Sequence, residues 1–273
     1  MQKNGEIAVL AYAEETHVRA YEGVVQQRLI TTLHTDVIKI RGVRTMKSII
    51  KLISSTVIFA CASVQAEPVM NLITINTNDP AGYAAWARSS APTLIKANNA
   101  MAMGLCSPTS GAQEMGDHYL WTFFDSQVTV WSNDPMNPTV AAEVAKMDVE
   151  RRIRMWDNWR IVRAAEVSGK GYYYNVHVKT DNPGGYIAAL DKVYAEMQER
   201  GYDLTMQIFM GDTGETAGMV MVSLGSSDRA EVGRMMDARS EGWFQQALAG
   251  LDGTREIVHG FSLVCETYAM AEM

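Results

Sequence analysis

Cysteine is scarce in this chain: only three of its 273 residues are cysteines. A fold held together by a framework of disulfides needs more cysteines than this, and so does a zinc site built from cysteine thiolates. The sequence therefore excludes both classes and leaves room for one disulfide within the chain.

An excess of positive charge is also missing. Lys and Arg number 24 against 31 Asp and Glu, so the formal net charge is −7 at pH 7. Binding to the phosphate backbone of a nucleic acid relies on clustered Lys and Arg, so we expect no nucleic-acid partner. HExxH, GxSxG and a phosphate-binding glycine loop do not occur either. No motif therefore predicts a metal site, a hydrolase or a nucleotide site.

Long apolar runs are absent as well. The stretch Leu52–Ala62 is too short for a comfortable membrane span, so no stable membrane insertion is expected. Lys47 and Lys51 lie before or at its start, and Val64–Ala66 brings small residues after it. This order of charge, apolar run and small residues is typical of a signal peptide, which we place at residues 46–66.

Cleavage near Ala66 predicts a soluble mature protein that begins at Glu67 and is periplasmic or secreted. Two alternatives stay open: a buried strand or helix, and a lipoprotein with its lipid on Cys61. Residues 1–45 have no recognisable unit, and we interpret them as a start-site artefact or a disordered extension ahead of a true start at Met46.

Two stretches of the remaining chain resemble each other. "TNDPAGYAAW" begins at Thr77 and "TDNPGGYIAAL" at Thr180, and Tyr83 and Tyr186 within them are 186 − 83 = 103 positions apart. Each stretch follows an apolar run and opens a segment with helical spacing, with proline at the first helical position. This pattern indicates an internal duplication.

Both copies continue in the same order of predicted elements, which is strand, helix, strand, strand, helix, strand. The predicted strands are 69–77, 100–106, 118–124 and 155–162 in the first copy, and 171–180, 203–211, 218–224 and 256–264 in the second. Each copy is thus a β-α-β-β-α-β unit. We place the first unit at residues 67–166 and the second at 167–273.

This order and the repeat resemble the ferredoxin-like units of the dimeric α/β-barrel superfamily, over essentially all of residues 69–270. In that superfamily two antiparallel sheets face each other and close a barrel with helices outside. The resemblance implies an α+β fold in which two tandem units form one α/β barrel within a single chain, so a monomer is expected. Chlorite dismutases and dye-decolourising peroxidases have related tandem halves. Antibiotic-biosynthesis monooxygenases and haem-degrading oxygenases are similar single-unit dimers.

The resemblance also raises haem as a cofactor. Haem-degrading relatives use an Asn, a Trp and a His, and this chain has Asn175, Trp121 and either His118 or His177. No position-by-position match to that family links these residues, so the sequence leaves the cofactor undetermined.

Alternation along the predicted strands points to a polar row inside the barrel. Val176 and Val178 align with apolar residues of the first copy and are expected to face the helices. The other face of that strand carries Tyr173, Asn175 and His177, which are our candidate catalytic residues, with His177 as a general base, hydrogen-bond donor or haem ligand. The alternative is a histidine satisfied by neighbours within the sheet. Lys179, on the same face, and Thr74, on the corresponding face of the first copy, are candidate ligand-lining residues.

Methionine is abundant, with 18 in the chain. Met101 and Met103 alternate on one predicted strand, and we expect them to line a soft cavity for an apolar ligand. Thioethers could also hold Cu(I) in an exported protein, and flexible methionines could equally fill an irregular core. The absence of compact methionine or histidine–methionine clusters favours the core.

The resemblance implies one disulfide. Cys106 lies on the second strand of the first copy and Cys265 on the last strand of the second. In the superfamily these are edge strands that meet where the two halves join, and export makes oxidation feasible.

Together these observations predict an exported protein that binds a small, largely apolar molecule in or beside its barrel. An oxygenase or haem-linked enzyme using the same cavity is the first alternative. A structural or assembly protein with a filled barrel is the second.

Overall fold

The computed structural model describes residues 66–165, 169–251 and 253–272. The predicted signal peptide up to Gln65, and residues 1–45 before it, lie outside the described residues.

Each half of the described chain runs strand, helix, strand, strand, two short helices, strand. The first half comprises β1 (Val69–Asn76), α1 (Pro80–Ala97), β2 (Ala102–Ser110), β3 (Asp117–Phe124), α2 (Gln127–Trp131), α3 (Pro138–Ala145) and β4 (Arg152–Arg163). The second comprises β5 (Lys170–Lys179), α4 (Pro183–Glu199), β6 (Thr205–Gly211), a 3₁₀ turn (Gly214–Thr216), β7 (Val220–Ser226), α5 (Arg229–Ala238), α6 (Gly242–Ala249) and β8 (Glu256–Met270). The second helix expected in each copy is therefore split into two short helices. In the first copy the split follows from the start of a new helix at Pro138, capped by Asn137.

All eight strands close into one antiparallel barrel in the order β1-β3-β2-β8-β5-β7-β6-β4, with β4 returning to β1. Each half contributes a four-stranded sheet, β4-β1-β3-β2 or β8-β5-β7-β6. The two sheets join at two seams, β2 with β8 and β4 with β6. The expected α+β fold of two tandem βαββαβ units forming a barrel is thus confirmed.

The long helix of each half begins in the same way, as the repeated sequence predicts. Asp79 caps α1 by accepting a hydrogen bond from the Gly82 amide, and Asn182 caps α4 by accepting one from the Gly185 amide. A proline occupies the first helical position in both, where a missing N–H costs nothing. The same N-terminal capping pattern therefore starts the long helix after the first strand of both copies.

The helices cover the outside of the barrel and bury apolar cores against it. On α1 the buried side includes Tyr83, Ala87 and Leu94, which pack with Ile75 and Leu120 of the sheet. The second half has an equivalent core beneath α4, and a further one beneath α5 and α6. A separate cluster lies inside the barrel and positions the candidate site. In the described part of the chain, no helix combines the length and the apolar character that a membrane crossing requires.

Candidate functional site

Alternation along β5 directs one row of side chains into the barrel. Tyr173 packs with the interior cluster, whereas Val178 and Val176 pack in the core beneath α4. Asn175 and His177 share the parity of Tyr173 and line internal cavities. The predicted polar row therefore lies inside the barrel. The corresponding positions of β1, such as Met70 and Leu72, are apolar, so the two halves contribute unlike surfaces.

One cavity, which we call the upper chamber, occupies the end of the barrel where β5 begins and β8 ends. Its cavity volume is about 70 Å³, on the order of five water positions. Most of its lining is apolar or aromatic: Met70, Leu72, Tyr119, Trp121, Phe123, Phe209, Met221, Phe261, Leu263 and the cysteines Cys106 and Cys265. Its polar lining is Tyr173, Asn175, Gln207, Ser223 and Thr267.

A second cavity, the lower chamber, lies toward the opposite end of the barrel and has a volume of about 120 Å³. It shares Leu72, Tyr119 and Phe261 with the upper chamber and is otherwise more polar. Its remaining lining is Thr74, Gln113, Met155, Asp157, Trp159, His177, Glu215, Thr216, Met219, Val258 and His259. The interior thus offers an apolar compartment and a polar one.

His177 is held tightly in the lower chamber. Its Nε2 lies 3.3 Å from the Met221 sulfur, and its ring centroid lies 5.2 Å from that of Trp159 and 5.3 Å from that of Phe261. His259 on β8 is its cross-strand neighbour, with ring centroids 6.2 Å apart. Burial in these surroundings, and secondarily the positive charge His259 can carry, lowers the pKa of His177 to about 4. His177 is therefore a neutral imidazole at pH 7.

Asp157 on β4 is the buried carboxyl group of the lower chamber. Burial raises its pKa from 3.8 to about 6, and the charge of Glu215 on the 3₁₀ turn adds to that rise. No Lys or Arg forms an ion pair with Asp157 among the described residues. A carboxyl group with this pKa changes protonation just below neutral pH, which is a property of groups that exchange protons with ligands.

Three buried polar atoms of the barrel interior have no hydrogen-bond partner among the described residues. They are Nε1 of Trp159, Oδ1 of Asn175 and Nε2 of His259. Buried polar groups are nearly always satisfied, and each one left alone costs about 1–3 kcal/mol. All three line the chambers, Asn175 in the upper one and the other two in the lower one. They therefore mark where a bound molecule could form hydrogen bonds.

Four of the seven predicted catalytic and ligand-lining residues lie at these chambers: Tyr173, Asn175, His177 and Thr74. Met101, Met103 and Lys179 do not. Met103 packs in the core under α1 because it pairs with the outward-facing Thr122, and Met101 is 40% exposed just before β2 begins. Lys179 is exposed at the last position of β5, outside both chambers.

The predicted cysteine pair lies at the upper chamber. Cys106 and Cys265 are directly opposite each other on β2 and β8, with their Cα atoms 3.9 Å apart, and are joined in a disulfide. This separation is well below the roughly 7 Å beyond which a bridge cannot form.

Asp157, His259, Gln207 and Ser223 were not among the predicted site residues. For Asp157 a signal existed, because alternation on its strand places it on the same face as the buried Trp159. For the others the parity of the strand was uncertain from the sequence.

Haem does not fit the barrel interior as its residues are arranged. The Nε2 of His177 faces the Met221 sulfur, and aromatic rings enclose its sides, so no porphyrin plane could be centred there. His118 is on the helix side with Ile75, and its Nδ1 is hydrogen-bonded to Ser107 Oγ at 2.9 Å. Trp121 and Asn175 do share the upper chamber, but no histidine is among the described residues that line it, so it offers haem no imidazole ligand. Among the described residues, no group of three His, Cys, Asp or Glu is arranged to hold a metal ion.

No family model and no curated protein matches the sequence. Several solved structures share the fold. A proposed monooxygenase from Lactobacillus acidophilus is 9% identical with a TM-score of 0.50, over 75% of this chain and 96% of its own. A second, from Fusobacterium nucleatum, is 8% identical with a TM-score of 0.49, over 76% and 95%. A mutant chlorite dismutase from Candidatus Nitrospira defluvii is 8% identical with a TM-score of 0.49, over 76% and 94%.

Proposed function

We propose that this chain, whose fold is that of the dimeric α/β-barrel proteins with both units in one polypeptide, is an exported binding protein. Its ligand is a small, largely apolar molecule held in the upper chamber. The observation that carries the proposal is the chamber itself, an apolar cavity inside a closed barrel with one unsatisfied polar atom, Asn175 Oδ1. Apolar walls with a few placed polar groups are the usual character of small-molecule sites.

The unsatisfied Asn175 oxygen defines the polar part of this ligand. The amide nitrogen of Asn175 is directed to the Met221 sulfur at 3.6 Å, which leaves the oxygen as an acceptor. A ligand with an apolar body and one hydroxyl or amine hydrogen therefore fits both the walls and the acceptor.

Export is supported by two independent features. The sequence before Glu67 has the order of a signal peptide. The Cys106–Cys265 disulfide belongs in an oxidising compartment, since cytosolic thiols are kept reduced. A monomer is supported by the closure of the eight described strands within one chain, because the sheet formed by the described residues has no free edge for a second copy to complete.

Mass spectrometry of protein purified from its exported compartment tests binding, cleavage and the disulfide together. A mass excess in the native spectrum that disappears on denaturation is the expected result, with a denatured chain that begins at Glu67 and lacks two thiol hydrogens. Leu263→Trp, which fills the upper chamber, should abolish the excess. Val162→Trp is the matched control, because Val162 is 46% exposed on the outside of β4. An unchanged excess in Leu263→Trp would place the ligand elsewhere.

A second candidate, an oxygen-consuming enzyme acting on the same molecule, is favoured by the titratable groups beside the chamber. His177 is neutral and Asp157 changes protonation near pH 6, and both line the lower chamber, which shares Leu72, Tyr119 and Phe261 with the upper one. An oxygen electrode distinguishes the candidates once the co-purified compound is in hand. Uptake of oxygen that collapses in His177→Ala supports the enzyme, whereas retained binding without uptake supports the binding protein. A purely structural role predicts a filled barrel, which the two chambers disfavour.

A further inference from the structure

We propose that the lower chamber is a second binding site, separate from the upper chamber, for a small neutral molecule carrying a hydroxyl or carbonyl oxygen. Trp159 donates to that oxygen through its indole N–H, and His259 forms the second hydrogen bond. This second site is a proposal additional to the apolar ligand of the upper chamber, and either proposal can hold without the other.

Trp159 is the anchor of this site. It is fully buried on β4, and its Nε1 has no partner among the described residues. The other tryptophans show how unusual this is in the chain. Four of the six donate from their indole nitrogen: Trp86 to Glu143 O, Trp131 to Gln127, Trp156 to Asn71 and Trp243 to Glu241. A phenylalanine would fill the core without an unsatisfied donor, so the N–H at position 159 indicates an acceptor that arrives from outside.

His259 brings a second unsatisfied atom to the same chamber from a different strand. Its ring stacks on Phe261 with centroids 5.0 Å apart, which fixes its plane, and its Nε2 has no partner among the described residues. An imidazole nitrogen donates or accepts according to its tautomer. A hydroxyl group can accept from Trp159 and donate to His259, and a carbonyl oxygen can accept from both.

The charge of the chamber excludes anions, and an ammonium group has no acceptor to offer the unsatisfied Trp159 N–H, so a neutral oxygen-bearing ligand fits best. Asp157 and Glu215 line it, and no Lys or Arg is among its lining residues. A carboxylate or phosphate would be repelled by these groups and would find no counter-ion.

Size and access are compatible with such a ligand. The chamber's 120 Å³ corresponds to about eight water positions, enough for a single substituted ring. Gln113, Glu215 and Val258 at its rim are solvent-exposed, so the chamber opens at the lower end of the barrel, away from the disulfide.

Phenol and toluene form a matched probe pair, because they share a shape and differ in one hydroxyl group. We would record ¹H–¹⁵N spectra of the labelled wild-type protein, in which six tryptophans give six indole signals, and assign two of them with Trp159→Phe and Trp121→Phe. Phenol should move the Trp159 indole signal downfield in a saturable way, and toluene should not. Trp159→Phe should weaken phenol binding by about threefold to tenfold, the size of one net hydrogen bond.

Two controls keep the site distinct from the upper chamber and from misfolding. Trp121→Phe alters the upper chamber, where phenol can also bind, so it should leave the saturable phenol-induced shift of the Trp159 signal unchanged, and the wild-type spectrum is informative even if Trp159→Phe unfolds. A phenol-induced shift at Trp121 instead of Trp159, or no saturable shift at all, overturns the lower site. Toluene acting on the Trp121 signal tests the upper chamber separately, so the two proposals can fail independently.

Discussion

Cys106 on β2 and Cys265 on β8 are directly opposite one another at the seam that joins the two halves of the barrel. They fasten that seam covalently. The other seam, between β4 and β6, is held by ladder hydrogen bonds and by an ion pair from Arg160 to Asp212 at 2.8 Å. The barrel is therefore locked on one side only, next to the upper chamber that both cysteines line.

Removing this bond should destabilise the protein considerably. The cysteines are 159 positions apart, and a cross-link closing so long a loop removes much of the entropy of the unfolded chain. We expect the double variant Cys106→Ser/Cys265→Ser to lose about 2–4 kcal/mol of unfolding free energy, measured by urea denaturation. Cys61→Ser should have no effect on that free energy. Equal stability of the double variant and the wild type would show that the seam is held without the disulfide.

The repeat, the barrel and the inward row of β5 could be predicted because they depend on local pattern. Side chains alternate on a strand, so identifying Val176 and Val178 as helix-facing placed Asn175 and His177 inside. The face of Met103 could not be settled in this way. Alternation shows that Met101 and Met103 share a face, but only the pairing of β2 with β3 decides which one.

The side-chain contacts inside the barrel could not be predicted either, because they join residues that are far apart in the sequence. Gly104 illustrates this: it has no side chain at an inward position, and a Cβ there would run into the Trp121 ring of the neighbouring strand. The sequence shows a glycine in a strand, but not the Glu266 carbonyl and the Trp121 ring that leave no room for a Cβ there. In the same way, the raised pKa of Asp157 comes from its burial inside the barrel and from the charge of Glu215 on the distant 3₁₀ turn.

His177 should make the protein less stable in acid. Its pKa is about 4 in the folded protein and 6.5 in the unfolded chain, so the unfolded state binds the proton first as pH falls. Its contribution is fully present above pH 6.5 and is lost as pH falls toward 4, by about 2 kcal/mol at pH 5. The groups in contact with its ring are Trp159, Phe261, Met221 and His259, and the charge of His259 adds to the lowering of the pKa of His177.

The variant His177→Phe isolates this effect. Its unfolding free energy relative to wild type should improve by about 2 kcal/mol between pH 7.5 and pH 5, because it cannot take up the proton. Urea denaturation at the two pH values measures the difference, in which other titrating groups cancel. Parallel pH profiles for the two proteins would mean that His177 is not buried as a neutral ring.

Asp157 should make the protein less stable as pH rises, over a pH range that overlaps the range in which His177 acts. Its folded pKa of about 6 lies above the ordinary 3.8, so the folded state holds the proton more tightly. Stability is therefore greatest below pH 3.8 and falls as pH rises through 6, by at most ~3 kcal/mol. Asp157→Asn should gain most of that amount over wild type at pH 7.5 and almost none at pH 4. A gain that does not change with pH would point to packing instead of charge.

Gly214 and Asp157 should be coupled energetically across the lower end of the barrel. Gly214 has φ +68°, and a Cβ built there would overlap the Asp157 Oδ1. Gly214→Ala therefore suffers both an unfavourable backbone conformation, which costs roughly 1 kcal/mol, and a clash with a buried carboxylate. In the Asp157→Ala background the clash disappears and only the backbone cost is left.

A double-mutant cycle on unfolding free energy measures this coupling, which we expect to be about 1–3 kcal/mol. Gly218→Ala is the matched control, since Gly218 lies in the same loop with φ +81° and, among the described residues, nothing comes within 4 Å of a Cβ built there. It should cost roughly 1 kcal/mol in either background. The contrary result is that Gly214→Ala and Gly218→Ala cost the same in both the wild-type and the Asp157→Ala background. That result would mean that the 3₁₀ turn is not in close contact with Asp157, and that the lower chamber is wider at that wall than the structure shows.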